Sequence, residues 1–347
     1  MKRRALVTTG LAFGAGVFIA RRSDAQGGTL NLYSARHYNT DEALYGNFAD
    51  LTGIKINRVD AEPDPLVQRL KAEGDKSPCD VLITTDAGRI ERAREMGLLQ
   101  SVNSAVLAKA VPAHLRDPDN SWFGFSKRAR VIFYNKEKVA AADAPKTYED
   151  LADAKWKGKI LIRPSGHIYN QSLVGSILAA DGQEKTEAWA KAVAGNFARP
   201  PRGGDTDQIK GVASGECAIA VTNSYYLARI MRSDAPENKA ITDRVGVVFP
   251  NQSSWGTHVN VAGGAVARNA KNPANAIKFL EYLASPAAQN HFANGNNEWP
   301  AANGIVIDNP ALKAMTGGSF KSDNTPVSRI GMNQIKVQQM LDRAGFK

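Results

Sequence analysis

A chain of 347 residues is long enough for about two domains of ordinary size. Its 43% hydrophobic and 22% charged content is that of a globular protein. The formal charge is +10, and past the basic start the chain has no Lys/Arg run and no RNA-type aromatic signature, which argues weakly against nucleic acid as a partner.

The chain opens "MKRRALVTTGLAFGAGVFIARRSDAQ": a basic start, a mildly apolar stretch from Ala5 to Ala20, then small residues near Ala25. That pattern predicts an export signal over residues 1–25, cleaved after Ala25, and hence a periplasmic protein. Arg3-Arg4, with Arg21-Arg22 after the apolar stretch, resembles a twin-arginine signal. The segment carries five basic side chains and one acidic one, so the mature chain is less basic than the whole. Past it, no stretch is apolar enough to span a bilayer. Neither cysteine, Cys79 or Cys217, lies just after the apolar stretch, so a lipid-anchored form is not expected. Both precede predicted strands in different halves of the chain, so two buried thiols are expected, without a disulfide.

Strand and helix signals then alternate. "TLNLYS" reads as a strand; Leu44, Phe48 and Leu51 mark a helix face between Thr40 as cap and Gly53 as stop. "IKINRV" is a strand, "PLVQRLKAEG" a helix opened by Pro65, "DVLITT" a buried strand and "AGRIERAREMG" a helix. Three βα units in a row predict a parallel sheet with helical crossovers. A second α/β region begins at "ARVIFYN" and continues through "KILI", two helices over about 170–195, the helix "DTDQIKGVASG" and the strand "AIAVT". "GVVFP" and "HVNVAGGAVAR" follow, then mainly helices, including "NPANAIKFLEYLAS". Two lobes crossed more than once by the chain leave a cleft lined by loops at strand ends, where open α/β sheets bind ligands.

Enzyme signatures are missing: no CxxC, HExxH, G-x-S-x-G or P-loop, and no helical metal-ligand spacing among the five histidines. One stretch stands out, "VTNSYYLARI" at 221–230. Taken alone, adjacent tyrosines are a packing signal, one ring in the core and one at the surface. The local reading adds that "AIAVT" ends near Thr222 and that Asn223-Ser224 caps a helix. Tyr225 and Tyr226 then sit in its first turn, where the helix dipole favours phenolate, and Arg229 falls on their side.

"LNLYSARHYNTDEALYGNFADLTGIKIN", "GFSKRARVIFYNK", "YEDLADAKWKGKI", "YNQSLV", "GECAIAVTNSYYLARI" and "FPNQSSWGTHVNVAGGAV" together resemble the periplasmic ferric-iron-binding proteins of the FutA/FbpA type, most closely the cyanobacterial FutA branch. The resemblance covers the mature chain. It implies an α/β, bilobal, class II periplasmic binding protein fold: two lobes joined by crossover hinge strands, closing on Fe³⁺ and delivering it to an inner-membrane iron ABC permease, as a monomer. The lobes would be 28–128 with 256–304, and 129–255 with 305–347, with hinges near 128–131 and 251–256. Carried over by position, the metal ligands would be Tyr38, Tyr169, Tyr225 and Tyr226, with His37 a fifth donor; Arg229, Arg128 and Arg130 would line the site.

The chemistry suits that set. Fe³⁺ is small and hard and prefers anionic oxygen. Four phenolates leave it one formal negative charge, which a guanidinium such as Arg229 would offset. Arg128 and Arg130 alternate onto one strand face, where salt bridging is the alternative role. Tyr33, Tyr45, Tyr134, Tyr148 and Tyr282 read as packing. Two rival functions stand beside iron: the same fold holding an oxyanion, polyamine or sugar phosphate through its arginines, or an exported enzyme.

Overall fold

The computed structural model describes residues 27–36 and 38–347; the expected export signal and His37 lie outside the described residues. Nine strands are found among them: β1 (Thr29–Ser34), β2 (Lys55–Asp60), β3 (Val81–Thr84), β4 (Phe123–Asn135), β5 (Ile160–Leu161), β6 (Ile219–Asn223), β7 (Val245–Val248), β8 (Val259–Val266) and β9 (Trp299–Pro300). They run in the order β2-β1-β3-β8-β4-β6-β5, with β7 and β9 also paired to β4. The three expected βα units make the parallel part, β2-β1-β3. β8 then adds antiparallel to β3, and β4 antiparallel to β8.

β4 is the strand on which the two halves meet. Residues 123–129 pair with β8, and residues 130–135 with β6 and β7. The change of partner falls between Ala129 and Arg130. Its 13 residues are nearly all buried, because both faces are covered in each half. The Val81–Thr84 run is fully buried for the same reason. Each such Val, Leu or Ile contributes about 1.5–3 kcal/mol relative to an exposed position.

Several local expectations shift. In the helix Asp41–Thr52 the buried face is Asp41, Leu44, Tyr45 and Phe48, and Leu51 is exposed: the stripe follows i, i+3, i+4, i+7 and Leu51 has rotated past it. Thr40 does not cap that helix; its hydroxyl donates to Asn296 Oδ1. The next helix begins at Pro63 rather than Pro65, and β4 starts six residues before "ARVIFYN". Cys79 and Cys217 are buried free thiols, each pushed up by burial.

Near residues 251–256 the chain turns on Gly256, at φ 99°, where a Cβ would stand 2.7 Å from the backbone of Ser322. Only glycine fits so close an approach at positive φ. Just beyond, His258 is buried where the two halves join. Its carbonyl accepts from Arg130 N, its amide donates to Tyr148 Oη, and its Nδ1 lies 2.6 Å from Ser176 Oγ. Burial, then Arg130, pushes this imidazole down to about 3 from its ordinary 6.5. As pH falls the unfolded chain therefore protonates first. The stability from neutral His258 is complete above about 6.5 and is lost progressively towards 3. A His258→Gln variant is expected to show a flatter dependence of melting temperature on pH across that window, whatever its absolute stability. An unchanged slope in thermal melts would assign the acid sensitivity elsewhere.

Candidate metal centre

Three separate segments bring four tyrosines together. Tyr38 lies in the loop between β1 and the helix Asp41–Thr52. Tyr169 is the second residue of the helix Ile168–Asp181, and Tyr225 and Tyr226 are the second and third of Ser224–Met231, directly after β6. The Tyr169 and Tyr225 hydroxyl oxygens are 3.1 Å apart. Tyr38 meets Tyr225 edge to face at 6.4 Å between centroids, and Tyr226 stacks on Tyr225 at 4.2 Å. Tyr225 and Tyr169 are buried, while Tyr38 and Tyr226 are half-buried. Tyr169 and Tyr226 open onto a cleft of about 440 Å³ whose other wall carries Thr85, Asp86 and Arg89. By contrast, among the described residues no group of three or more His, Cys, Asp or Glu is placed to hold a metal ion.

Burial sets the protonation of the cluster. It pushes the Tyr169 phenol up to about 12, despite the opposing field of Arg128, and pushes Tyr38 and Tyr225 higher still. Tyr38, Tyr169 and Tyr226 each raise Tyr225 further. Tyr38, Tyr169 and Tyr225 are therefore neutral phenols at pH 7.

Arg128 is the buried cation at its centre. Its Nε donates to Glu298 Oε1 at 2.7 Å, and its Nη1 donates to the Thr85 carbonyl. Glu298 is fully buried, accepts from Tyr38 Oη at 2.8 Å and Ser126 Oγ at 2.7 Å, and pairs with Arg36 at 3.3 Å. Against the penalty of burial, Arg128 and Arg36 hold its carboxyl down to about 2. Arg130, two residues on, serves the other half. It pairs with Asp205 at 2.9 Å and donates to Asn170 Oδ1 and Asn223 Oδ1, 5.8 Å from the Tyr169 ring centroid. Asn223 thus spends its side chain on Arg130 rather than on capping the tyrosine helix, as its place in the sequence suggested. Arg229 is exposed, its guanidinium carbon 5.8 Å from the Tyr226 ring centroid.

Glu298, Arg36 and His167 were missed in the sequence. Arg36 stands in the quoted "SARHY", and His167 two residues before Tyr169; Glu298, in "NNEWP", gives no periodic or motif signal. His167 caps its helix through Nδ1, which accepts from Tyr169 N, and its ring lies 4.4 Å from that of Tyr169. Burial, then Arg163, pushes it down to about 3, so it faces the cleft as neutral imidazole.

Residues 43–316 match the family of bacterial extracellular solute-binding proteins. Over 318 residues the chain is 48% identical to Iron uptake protein A1 of Synechocystis, covering 92% of this chain and 87% of that protein. The chain belongs to this family, in its FutA branch. This FutA-branch chain is also 53% identical to the Trichodesmium FutA (IdiA) structure in complex with iron and citrate, with a TM-score of 0.88 over 92% of this chain and all of that one. Apo FutA2 from Synechocystis follows at 45% identity and a TM-score of 0.87, over 93% of this chain and all of that one. The fold is accordingly the bilobal periplasmic-binding-protein fold.

The Arg130–Asp205 pair supports Tyr169 and the tyrosine helix together, since Asp205 also accepts from Asn223 N at 3.0 Å. Asp205→Ala leaves a buried guanidinium uncompensated and is expected to cost about 3–5 kcal/mol. Urea unfolding should show that loss, and Arg130→Met in the same background should recover much of it.

Proposed function

We propose that this protein captures Fe³⁺ between its halves through the phenolate oxygens of Tyr38, Tyr169, Tyr225 and Tyr226. It then hands the ion to an inner-membrane ABC permease from the periplasm, as a monomer. The observation that carries the reading is the convergence of four phenols from three chain segments beside the buried guanidiniums of Arg36, Arg128 and Arg130. A hard trivalent cation is the ligand for which such oxygens are the fitting donors. His37, next to Tyr38 in the chain, is the candidate fifth donor. Two curated relatives described as an iron uptake protein and an Fe(3+)-binding periplasmic protein, and a FutA complex described as holding iron, support the assignment. Among the described residues no helix is long and apolar enough to cross a membrane. Capture and delivery, rather than turnover, is the role these residues suit, because Tyr38, Tyr169 and Tyr225 are held neutral by burial and act only when a cation displaces their protons.

The oxyanion reading has one observation in its favour. Arg128 Nη2 is buried and has no hydrogen-bond partner in the protein. A small anion could satisfy it, but so could a phenolate. The remaining charge of Arg128 and Arg130 is already matched by Glu298 and Asp205. An anion that accompanies the metal fits this balance better than an anion bound alone. Elemental analysis of protein from iron-replete medium, with a visible spectrum, decides between them: stoichiometric iron and a phenolate-to-iron band are expected. Colourless protein that binds a free oxyanion would overturn the iron reading.

Ionising a phenol of ordinary pKa at pH 7 costs roughly 4 kcal/mol, and burial here adds to that. The cation's field has to offset it, so binding should release about four protons and weaken steeply as pH falls. Tyr226→Phe should remove one released proton and shift the band. Tyr148→Phe should do neither, because Tyr148 Oη is spent on Arg130 O and His258 N; it should lower the melting temperature instead. Calorimetry in two buffers of different protonation enthalpy measures the proton count. A count near two, or an unshifted band in Tyr226→Phe, would refute four phenolates.

A further inference from the structure

Three consecutive residues, Asn297, Glu298 and Trp299, reach both sides of the tyrosine cluster. Asn297 ends the helix Pro286–Asn296 in the left-handed conformation, φ 59°, and its Oδ1 accepts from Arg232 Nη1 at 2.9 Å. Arg232 immediately follows the helix Ser224–Met231. Trp299 Nε1 donates to the hydroxyl of Ser224, the first residue of that helix, at 3.2 Å. The helix carrying Tyr225 and Tyr226 is therefore held at both ends by the two neighbours of the carboxylate that holds Tyr38.

On the iron reading above, we propose that residues 297–299 are a positioning element that sets Tyr38 in register with Tyr225. Glu298 acts on the Tyr38 ring, and Trp299 acts on the helix that carries the pair. One short stretch thus serves two clients. Its place is fixed by β9, where Trp299 pairs with Lys127 and Pro300 with Ser126, and by Glu298 N donating to Phe292 O. Glu298 is fitted to hold Tyr38 rather than to bind metal. Its Oε1 takes Tyr38 and Arg128, and its Oε2 takes Ser126 and Arg36, so both oxygens already have two donors. Arg36 also lies over the Tyr38 ring, 5.0 Å from its centroid. Before the metal takes its proton, a ring held at its hydroxyl and on its face has little freedom left. Binding constellations need donors held within about 0.5 Å, which a loop tyrosine does not achieve unaided.

The test is a ferric titration of the mature chain, followed by the phenolate-to-iron band, in a double-mutant cycle. Glu298→Ala is expected to weaken binding at least tenfold and to move the band as Tyr38→Phe does. Adding Glu298→Ala to Tyr38→Phe should cost less than a further twofold, whereas adding it to Tyr226→Phe should multiply the two losses. Glu298→Gln keeps an acceptor for the Tyr38 hydroxyl before the metal binds and offers an N–H donor to its phenolate afterwards, and should restore the band position even where it does not restore the melting temperature. If Glu298→Ala does not fold, Ser224→Ala removes the hydroxyl that accepts from Trp299 Nε1 and carries the other arm, with its loss expected to merge with that of Tyr225→Phe. A lowered melting temperature with unchanged band and affinity, or losses that multiply with Tyr38→Phe or Tyr225→Phe, overturns the positioning role and leaves the iron reading standing. A wild type without the band overturns the iron reading, and this inference with it.

Discussion

A guanidinium taken out of water has to find its counter-charge inside the protein, and for Arg128 that counter-charge is Glu298. The pair is almost completely shielded from solvent, at a separation of 2.7 Å. Most of the candidate centre follows from keeping it satisfied. Ser126, on the same strand, supplies a hydroxyl to the second carboxylate oxygen, and Arg36 supplies another cation. Arg36 in turn needs an anion, which Asp41 provides at 2.5 Å from the first turn of its helix. The loop bearing Tyr38 is thereby pinned on both sides, at Arg36 and at Asp41. A half-satisfied network of this kind costs more than an apolar core, so removing one member exposes the rest.

Strand β4 explains why one network can serve a site built from two halves. Side chains two apart on a strand share a face, so Arg128 and Arg130 point the same way although their backbones belong to different pairings. Arg128 finds its anion in the half that carries Tyr38. Arg130 finds Asp205 in the half that carries Tyr169 and the tyrosine pair. A rotation about the stretch between them moves each arginine with its own anion. Neither buried charge would have to be exposed if the halves parted there.

What the sequence discloses of this arrangement follows from what is local. The alternating strands and helices, the helix stops at Gly53 and Gly74 and the tyrosine pair after β6 are fixed by neighbours in the chain. Leu51 was misplaced because an apolar residue one turn along a stripe is indistinguishable from one rotated out of it. Asn223 was read as a cap because nothing nearby in sequence shows that Arg130, 93 residues away, claims its side chain. Glu298 was illegible for the same reason at greater range: it lies 260 residues from Tyr38 and sits in a segment without periodicity. Hydrogen bonds between distant side chains have no signature in a single sequence, yet they decide which tyrosines a metal could meet.

The charge balance bears on which cation the cluster suits. Arg36, Arg128, Asp41 and Glu298 already cancel among themselves, so they cannot, as a set, neutralise the single negative charge that four phenolates leave on Fe³⁺. The compensation has to come from cations at the edge of the cleft. Arg229 is exposed, and water screens much of its field. Arg163, 5.2 Å from the Tyr169 ring centroid and only partly exposed, is better placed. A divalent ion in the same four phenolates would leave two negative charges against these same edge cations. Because the buried set contributes no surplus of positive charge, that second charge would go uncompensated in a poorly hydrated site, and the proton displaced from the fourth phenol would tend to return. The arrangement therefore favours a trivalent over a divalent ion by charge as well as by hardness, and gain of one electron by the metal is the event that would loosen its hold.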